Sequence, residues 1–543
     1  MSHQAETEEQ LEIDRIPIRR ALISVFDKTG LDTLAKTLAS RGVEIFSTGG
    51  TEKYLRGLGI AVTSVSDLTK SPEVFDGRLK TLHPMVHGGL LFRRELPSHV
   101  AQAAEHGIPP MDLLIVNLYP FEETRAKAGS TQQEIIEQID IGGPAMLRSA
   151  AKNYRGVTLL TSPDQYDRFL TEFSADGSTG LSSRFEFAKE GFTLVAHYDN
   201  AIADYFNSLT PAGASLSKQW LDISLPLIQS LRYGENPHQQ AALFGNDFSK
   251  ICTQLWGKEL SYNNILDMSA ALGLIAEFVK KGSGDERPGA AIIKHTNPCG
   301  VAEGDSVLNA FNRAFTTDPE SPFGGIIILN DTVDAPLAER LNEFFSEVIL
   351  APDFTDEALV TLKKKKDRRL VQFDQTLNRS YIDHGMVELR SVVGGILQQE
   401  PDRKLFDNST RSSVTSHPLS ESVERSLIFA TKIVKHLKSN AIAFCDVEGG
   451  FARTLGLGAG QTSRVEAVRI AIEHAKHHGL DLKGSVVASD AFFPFADGLI
   501  ACADAGAVAV IQPGGSVRDA EVIAAAEERG MALVMTGIRH FKH

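Results

Sequence analysis

Lys294-His295-Thr296-Asn297-Pro298-Cys299-Gly300 sets an ammonium beside an imidazole at the end of the aliphatic run Ala290-Ala291-Ile292-Ile293. An imidazole that titrates near neutral pH can take a proton from a weak nucleophile, and a neighbouring lysine can steady a developing oxyanion. The pattern predicts a buried strand over the aliphatic run and a turn at Asn-Pro-Cys-Gly, so that both side chains stand at the catalytic edge of an α/β sheet. Taken alone, the heptapeptide is explained slightly better as a strand end with a solvated lysine and a hydrogen-bonded histidine, because short motifs recur by chance.

Other segments combine the same kinds of group. Ser47-Thr48-Gly49-Gly50-Thr51 places hydroxyls and glycines at a helix start, where free N–H groups and the dipole bind phosphate, although a helix cap explains them equally well. The turn Ser24 to Thr29, with Lys28, could complete such a cradle. In Gly77-Arg78-Leu79-Lys80-Thr81-Leu82-His83-Pro84 two cations at i and i+2 share one side if the chain is extended. Asn117-Leu118-Tyr119, Asp140-Ile141-Gly142-Gly143 and Ala151-Lys152-Asn153 add a phenol, an acid and a base. Together these could polarise a carbonyl and remove water. Further on, Arg232 in Arg-Tyr-Gly-Glu-Asn-Pro-His-Gln could clamp a phosphate. Ser489-Asp490-Ala491-Phe492-Phe493-Pro494-Phe495 offers an acid beside an aromatic wall, though phenylalanines usually pack cores. Gly456-Leu457-Gly458-Ala459-Gly460-Gln461 lacks the dinucleotide spacing G-x-G-x-x-G.

The elements that must hold these groups read as α/β. Strands are expected at Ala21 to Val25, Val43 to Ser47, Ala61 to Val65, Leu113 to Asn117 and Val157 to Thr161, with a helix bearing Leu31, Leu34, Ala35 and Leu38 on one face. This pattern predicts a mostly parallel sheet with covering helices. Thr210-Pro211-Ala212-Gly213-Ala214-Ser215 has linker composition and marks a domain boundary. Beyond it a weak internal echo, strand, Pro-containing polar turn, helix, joins Ala290–Phe315 to Ser485–Ala505 and suggests two related subdomains. Gln398 to Pro418 reads as a surface connection. Lys363 to Lys366, with Asp367-Arg368-Arg369, reads as a solvated helix end.

At 543 residues the chain suits two to four domains. Its net charge of −14, from 55 Lys and Arg against 69 Asp and Glu, argues against general nucleic-acid or anionic-membrane binding. Cys252, Cys299, Cys445 and Cys502 show no Cys-x-x-Cys spacing, so neither a disulfide framework nor a zinc site is expected, and a reducing cytoplasm is the default. Residues 1 to 17 are expected to be a disordered lead-in rather than a secretory signal. No apolar run approaches the length of a membrane span.

These segments, in this order, resemble the family of bifunctional phosphoribosylaminoimidazolecarboxamide formyltransferase and IMP cyclohydrolase enzymes of purine biosynthesis. The resemblance runs from about Arg20 to the closing Arg539-His540-Phe541-Lys542-His543 and includes Gly77–Pro84, Asp140–Gly143, Arg232–Gln239, Lys294–Gly300 and Ser489–Phe495. It implies a methylglyoxal-synthase-like parallel-sheet domain over residues 18–210 that closes a formylated ribotide to IMP. Lys80, Tyr119, Asp140 and Lys152 would act there in ring closure and loss of water, while Ser24, Lys28, Ser47, Gly49, Thr51, Arg78 and Thr81 would hold the phosphate. Residues 211–543 would form two cytidine-deaminase-like α/β subdomains that transfer a formyl group from 10-formyltetrahydrofolate to the ribotide's 5-amino group. Lys294 and His295 would be the catalytic pair, with Arg232, Tyr233, Asn264, Asn440, Arg464, Asp490, Arg539, Phe541 and His543 lining the nucleotide and folate sites. The resemblance also implies a cytoplasmic homodimer with a shared transferase site, small-molecule nucleotide and folate substrates, and no required metal.

The chain departs from the family pattern at three places. Phe26 stands where a serine is common, Ala496 replaces an arginine usual after Phe-Phe-Pro-Phe, and Asp446 to Arg453 is longer than the usual turn. A zinc-dependent deaminase would need His-x-Glu with Pro-Cys-x-x-Cys, and Pro298-Cys299 has no second cysteine. A phosphate lyase of the methylglyoxal-synthase kind would leave Lys294-His295 unexplained, and a ribotide sensor would leave the acids and bases of both regions idle.

Overall fold

The computed structural model describes residues 14–72, 75, 79–209, 221, 223–245, 247–278, 287–406 and 409–543. The chain divides into two compact units, Met1–Ser224 and Leu225–His543. The expected linker at 210–215 lies outside the described residues, as do residues 1–13 of the expected lead-in. Arg15–Pro17, also assigned to that lead-in, is instead a short strand paired antiparallel with Ser178–Gly180.

The first unit is built on a five-stranded, all-parallel sheet in the order Thr63–Ser64, Glu44–Ser47, Arg20–Ser24, Leu113–Val116, Thr158–Leu160. Period-two alternation sends Ala21 and Ile23 to one face, with Leu34, Leu38, Phe169 and Phe173, and Leu22 to the other, with Leu90, Met146 and Leu147. Helices therefore cover both faces, and the loops after the strands are left to form a site. The expected strand at Ala61 to Val65 shrinks to Thr63–Ser64, because Ser64 caps a helix that begins at Val65.

The second unit contains a 12-stranded mixed sheet with an internal duplication. From one edge the strands are Cys252–Trp256, Arg369–Phe373, Val348–Ala351, Ile326–Leu329, Gly289–Lys294 and Asn297–Glu303. From the other edge they are Ser412–Ser413, Ala532–Met535, Ala509–Gln512, Val486–Ser489, Ile442–Glu448 and Phe451–Gly458. Each half is an antiparallel hairpin followed by three parallel strands, and the halves join where Ala302 pairs with Arg453. The echo in the sequence is real but one strand out of register. The aliphatic strand 289–294 corresponds to Ile442–Glu448, whereas Val486–Ser489 corresponds to Ile326–Leu329. Helices Tyr262–Ile275 and Glu421–Val434 share one core, and helices Val307–Thr317 and Arg464–His477 cover the opposite face.

Two expectations are corrected here. Asn297-Pro298-Cys299-Gly300 is the start of a strand, not a turn; the chain reverses at His295-Thr296. The basic run does end the helix Asp356–Leu362, but Arg368 is fully buried, donating to the carbonyls of Leu341 and Phe344. The long segment Asp446–Arg453 is a regular hairpin tip that turns at Gly449-Gly450.

The same close approach recurs in both halves. A Cβ at Gly300 would collide with the carbonyl oxygen of Ala314, and one at Gly458 with that of Ala467, so each helix lies directly on its strand. Gly458→Ala is expected to cost about 1–3 kcal/mol through overpacking, seen as a lower Tm. Gly57→Ala, which meets nothing within 4 Å, should leave Tm unchanged or slightly raised.

Candidate functional site

In the first unit, three loops converge beyond the ends of the parallel strands. Ser24 Oγ lies 3.3 Å from Thr48 Oγ1, and helix Gly49–Gly57 begins there. The Lys80 ammonium fills the space beside Gly49, where a Cβ would come within 2.7 Å of it. Thr81 Oγ1 likewise would lie 2.5 Å from a Cβ on Gly142. The bare glycines thus let a lysine and a hydroxyl close on two helix N-termini at once. Ser47 and Thr51 are buried, and their hydroxyls donate to Ile23 O and Val25 O, so they brace the cradle. Lys28 Nζ donates to Phe26 O at 3.1 Å. Arg78 lies outside the described residues.

Asp140 Oδ1 accepts the Gly143 N–H at 2.7 Å, and burial pushes its carboxyl up against the pull of the Gly143, Tyr119 and Gly142 amides. Burial, with the Asp140 charge adding, also pushes the Tyr119 phenol up, so it stays protonated as a donor. Phe26 packs edge-on against Tyr119, with ring centroids 6.1 Å apart. Lys152 is not with this group. It is exposed at the far end of helix Gly142–Lys152, 11 residues long, roughly 15 Å along the axis from Asp140.

Two positioning residues were missed in the sequence. Asn117 Oδ1 accepts the Phe26 and Asp27 N–H groups, and its Nδ2 donates to Asp27 O, tying the lysine turn that follows the central strand to the end of the neighbouring strand Leu113–Val116. Tyr198 bridges Asp140 N and Gln138 O, both at 2.8 Å. The strand-end place of Asn117 was a usable signal; Tyr198, 58 residues from Asp140, left none.

In the second unit, Arg232, Tyr233, Asn264, Lys294 and His295 line one cleft of about 680 Å³. The Arg232 guanidinium lies 5.5 Å from the Tyr233 ring centroid, and Lys294 Nζ donates to Phe323 O at 3.2 Å. Asn264 Oδ1 serves the capping box of its helix, accepting from Ser261 N and Oγ. One turn on, Asp267 faces the hairpin and accepts the Thr296 N–H at 2.6 Å. Burial pushes its carboxyl up, against the pull of the Thr296 and His295 amides and the His295 charge.

His295 and Thr296 have φ of 51° and 63°. Two successive left-handed residues make the tight hairpin turn that normally takes Asn-Gly or Gly-Gly. The matching turn in the second half is Gly449-Gly450, with φ of 60° and 84°. A histidine and a threonine in that conformation cost about 1–2 kcal/mol each, and Asp267 holds them by the turn's own amides. The turn lifts the imidazole off the sheet edge into the cleft.

Asn440, Arg464 and Asp490 form a second, buried cluster. Arg464 donates to Asp490 Oδ1, to Ser489 Oγ at 2.7 Å and to Asn440 Oδ1 at 2.7 Å. Asp490 Oδ2 is buried without a hydrogen-bond partner. The Arg539 guanidinium lies 4.3 Å from the Phe541 ring centroid, and the His543 carbonyl accepts from Lys438 Nζ at 3.0 Å. Asn297 Oδ1 accepts the Lys438 N–H at 3.0 Å, which joins the Lys294 hairpin to the chain entering Asn440. Of the aromatic wall, Phe493 is core, while Phe492 and Phe495 are exposed, the latter beneath the Arg518 guanidinium at 4.6 Å.

Two family models match the chain: an MGS-like domain over residues 30–145 and the AICARFT/IMPCHase bienzyme over residues 150–474. Curated relatives named bifunctional purine biosynthesis protein PurH are similar over nearly full length. The one from Chlorobium phaeobacteroides strain BS1 is 48% identical over 97% of this chain and 99% of its own, and that from Chloroflexus aurantiacus 50% over 96% and 98%. A solved structure titled "Crystal structure of ForH" is 36% identical and covers 35% of this chain and 96% of its own, with a TM-score of 0.32.

If Asp267 holds the turn, Asp267→Ala lowers the reaction at Lys294-His295 by about 10²-fold through misplacement alone. The chemistry of the first unit, assayed separately, should be unchanged.

Proposed function

The chain belongs to the AICARFT/IMPCHase bienzyme family, and from that premise we propose how its residues share the last two steps of IMP synthesis. The enzyme transfers the formyl group of 10-formyltetrahydrofolate to the 5-amino group of aminoimidazolecarboxamide ribotide, then closes the formylated product to IMP with loss of water.

Transfer belongs to the second unit, residues 211–543 in the sequence-based division. An arylamine conjugated with a carboxamide is a poor nucleophile, so it needs a base at the amine and a cation at the formyl oxygen. His295 takes the amine proton as nitrogen attacks the formyl carbon, and Lys294 steadies the oxyanion until the folate N10 leaves with a proton. Arg232 and Tyr233 line the same cleft and suit a ribotide phosphate and its heterocycle. Asn264 orders the helix behind them, and Asn440, Arg464, Asp490, Arg539, Phe541 and His543 form the remaining nucleotide and folate contacts. The observation that carries this reading is the strained hairpin, which spends stability to hold His295 in the cleft beside Lys294.

Ring closure belongs to the first unit, residues 18–210. Thr81, with Ser24, Lys28, Ser47, Gly49, Thr51 and Arg78, forms the phosphate end, and Lys80 acts in the ring closure itself. Asp140 takes a proton from the attacking carboxamide nitrogen while Tyr119 protonates the formyl oxygen; Asp140 then returns its proton to the resulting hydroxyl, which leaves as water, and the formamide N–H proton restores the Tyr119 phenol. Lys152, exposed and distant within its own chain, acts on the site of a second copy, so the active form is a homodimer. Acids, bases and ammonium groups at both sites supply what each step needs, and neither requires a metal. Among the described residues no helix is long and apolar enough to cross a membrane, and the cysteines are free thiols; both fit a cytoplasmic enzyme.

His295→Ala should lower formyl transfer by about 10²–10⁴-fold while the first unit still closes supplied formylated ribotide; loss of both would contradict separate sites. Lys80→Ala and Lys152→Ala chains should each lack ring closure. Re-paired at random, about half the dimers are mixed with one intact site of two, so about a quarter of wild-type activity returns. No recovery on mixing would sink the role of Lys152 across the dimer.

A further inference from the structure

The duplicated halves also meet at the ends of two helices. Helices Val307–Thr317 and Arg464–His477 occupy equivalent places in the two halves, and their C-caps are Asp318 and His478. His478 Nε2 lies 3.8 Å from Asp318 Oδ1, and the neighbouring His477 Nε2 lies 3.3 Å from Glu320 Oε1. Glu320, His477 and His478 each offer one ligand atom, and all three atoms lie within 4.8 Å of one another. Among the described residues this is the only such group of three or more His, Cys, Asp or Glu side chains.

We propose that Glu320, His477 and His478 form a divalent transition-metal site, zinc being the best fit, which staples the two halves of the second unit together. Two donors bound tetrahedrally at 2.0–2.1 Å from zinc are about 3.3 Å apart, which is the separation of His477 and Glu320. Two imidazoles and a carboxylate are a common zinc donor set, with water as the fourth ligand. Two helix C-termini converge at the site, and their partial negative charge favours a cation. Asp318, held by Ser321 and the Glu320 N–H, lies 3.8 Å from His478 Nε2 and adds negative charge beside the site. The surroundings also distinguish the site from the catalytic clefts. His477 and Glu320 are exposed, at 66% and 75%, whereas His478 is 9% exposed, so an ion can enter from solvent and be anchored from within.

Full-length protein stripped with EDTA and titrated with zinc chloride by calorimetry should take up one zinc per chain, with a matching rise in Tm. His477→Ala and Glu320→Ala change exposed side chains outside both catalytic sites; each should weaken zinc binding about tenfold or more and leave IMP formation unchanged. Cobalt(II) bound to the wild type should show the intense visible bands of a tetrahedral site, and His478→Ala should lose them. No saturable uptake, or equal affinity in the Glu320→Ala/His477→Ala double variant, would overturn the proposal. So would an unaltered cobalt spectrum in His478→Ala.

Discussion

The second unit depends on a two-residue left-handed turn that carries the wrong residues for its shape. Glycine fits such a turn without strain, and the equivalent turn in the other half uses two of them. At His295-Thr296 the fold instead retains side chains and answers the strain with buried support. Asp267 accepts the Thr296 N–H, the flanking strand is paired along 289–294 on one side and along 290–293 on the other, and Asn297 ties the hairpin to Lys438. Strain held in place by its surroundings is what the role proposed for His295 requires.

Duplication explains why this is affordable. Two copies of one strand–helix pattern bury a shared core under helices 262–275 and 421–434, and each copy can then specialise. The first keeps a hairpin that carries His295 and Thr296, and the second a plain Gly449-Gly450 turn. Close helix-on-strand contacts at Gly300 and Gly458 repeat in both, so divergence is concentrated in the loops. The first unit uses a different device. Its parallel strands all end at one rim, and glycines at two helix starts let Lys80 and Thr81 approach where a side chain would exclude them.

Much of this was legible in the residues. Aliphatic runs marked the parallel strands of the first unit and Val486–Ser489, because strands buried on both faces read as continuous apolar text, whereas Ile326–Leu329, Val348–Ala351, Arg369–Phe373, Ala509–Gln512 and Ala532–Met535 were not read as strands. The cleft group Arg232, Tyr233, Lys294 and His295 came from local motifs with resemblance behind them. What failed was geometry set by distant partners. Asn-Pro-Cys-Gly reads as a turn, yet strand pairing on both sides of 297–303 overrides that local preference. Asp267 and Tyr198 are recognised by what they touch, and no spacing announces them; Asn117 is marked only by its place at a strand end. Lys152 follows Asp140 closely in sequence, but one straight helix carries it away.

Replacing the turn outright tests whether its strain serves the chemistry. In His295→Gly/Thr296→Gly, relief of about 1–2 kcal/mol per residue exceeds the entropic cost of about 0.5–1 kcal/mol per glycine. A thermal melt with separate assays of the two steps should show a raised Tm, formyl transfer lost and ring closure intact. A lowered Tm, or transfer that survives, would contradict the account.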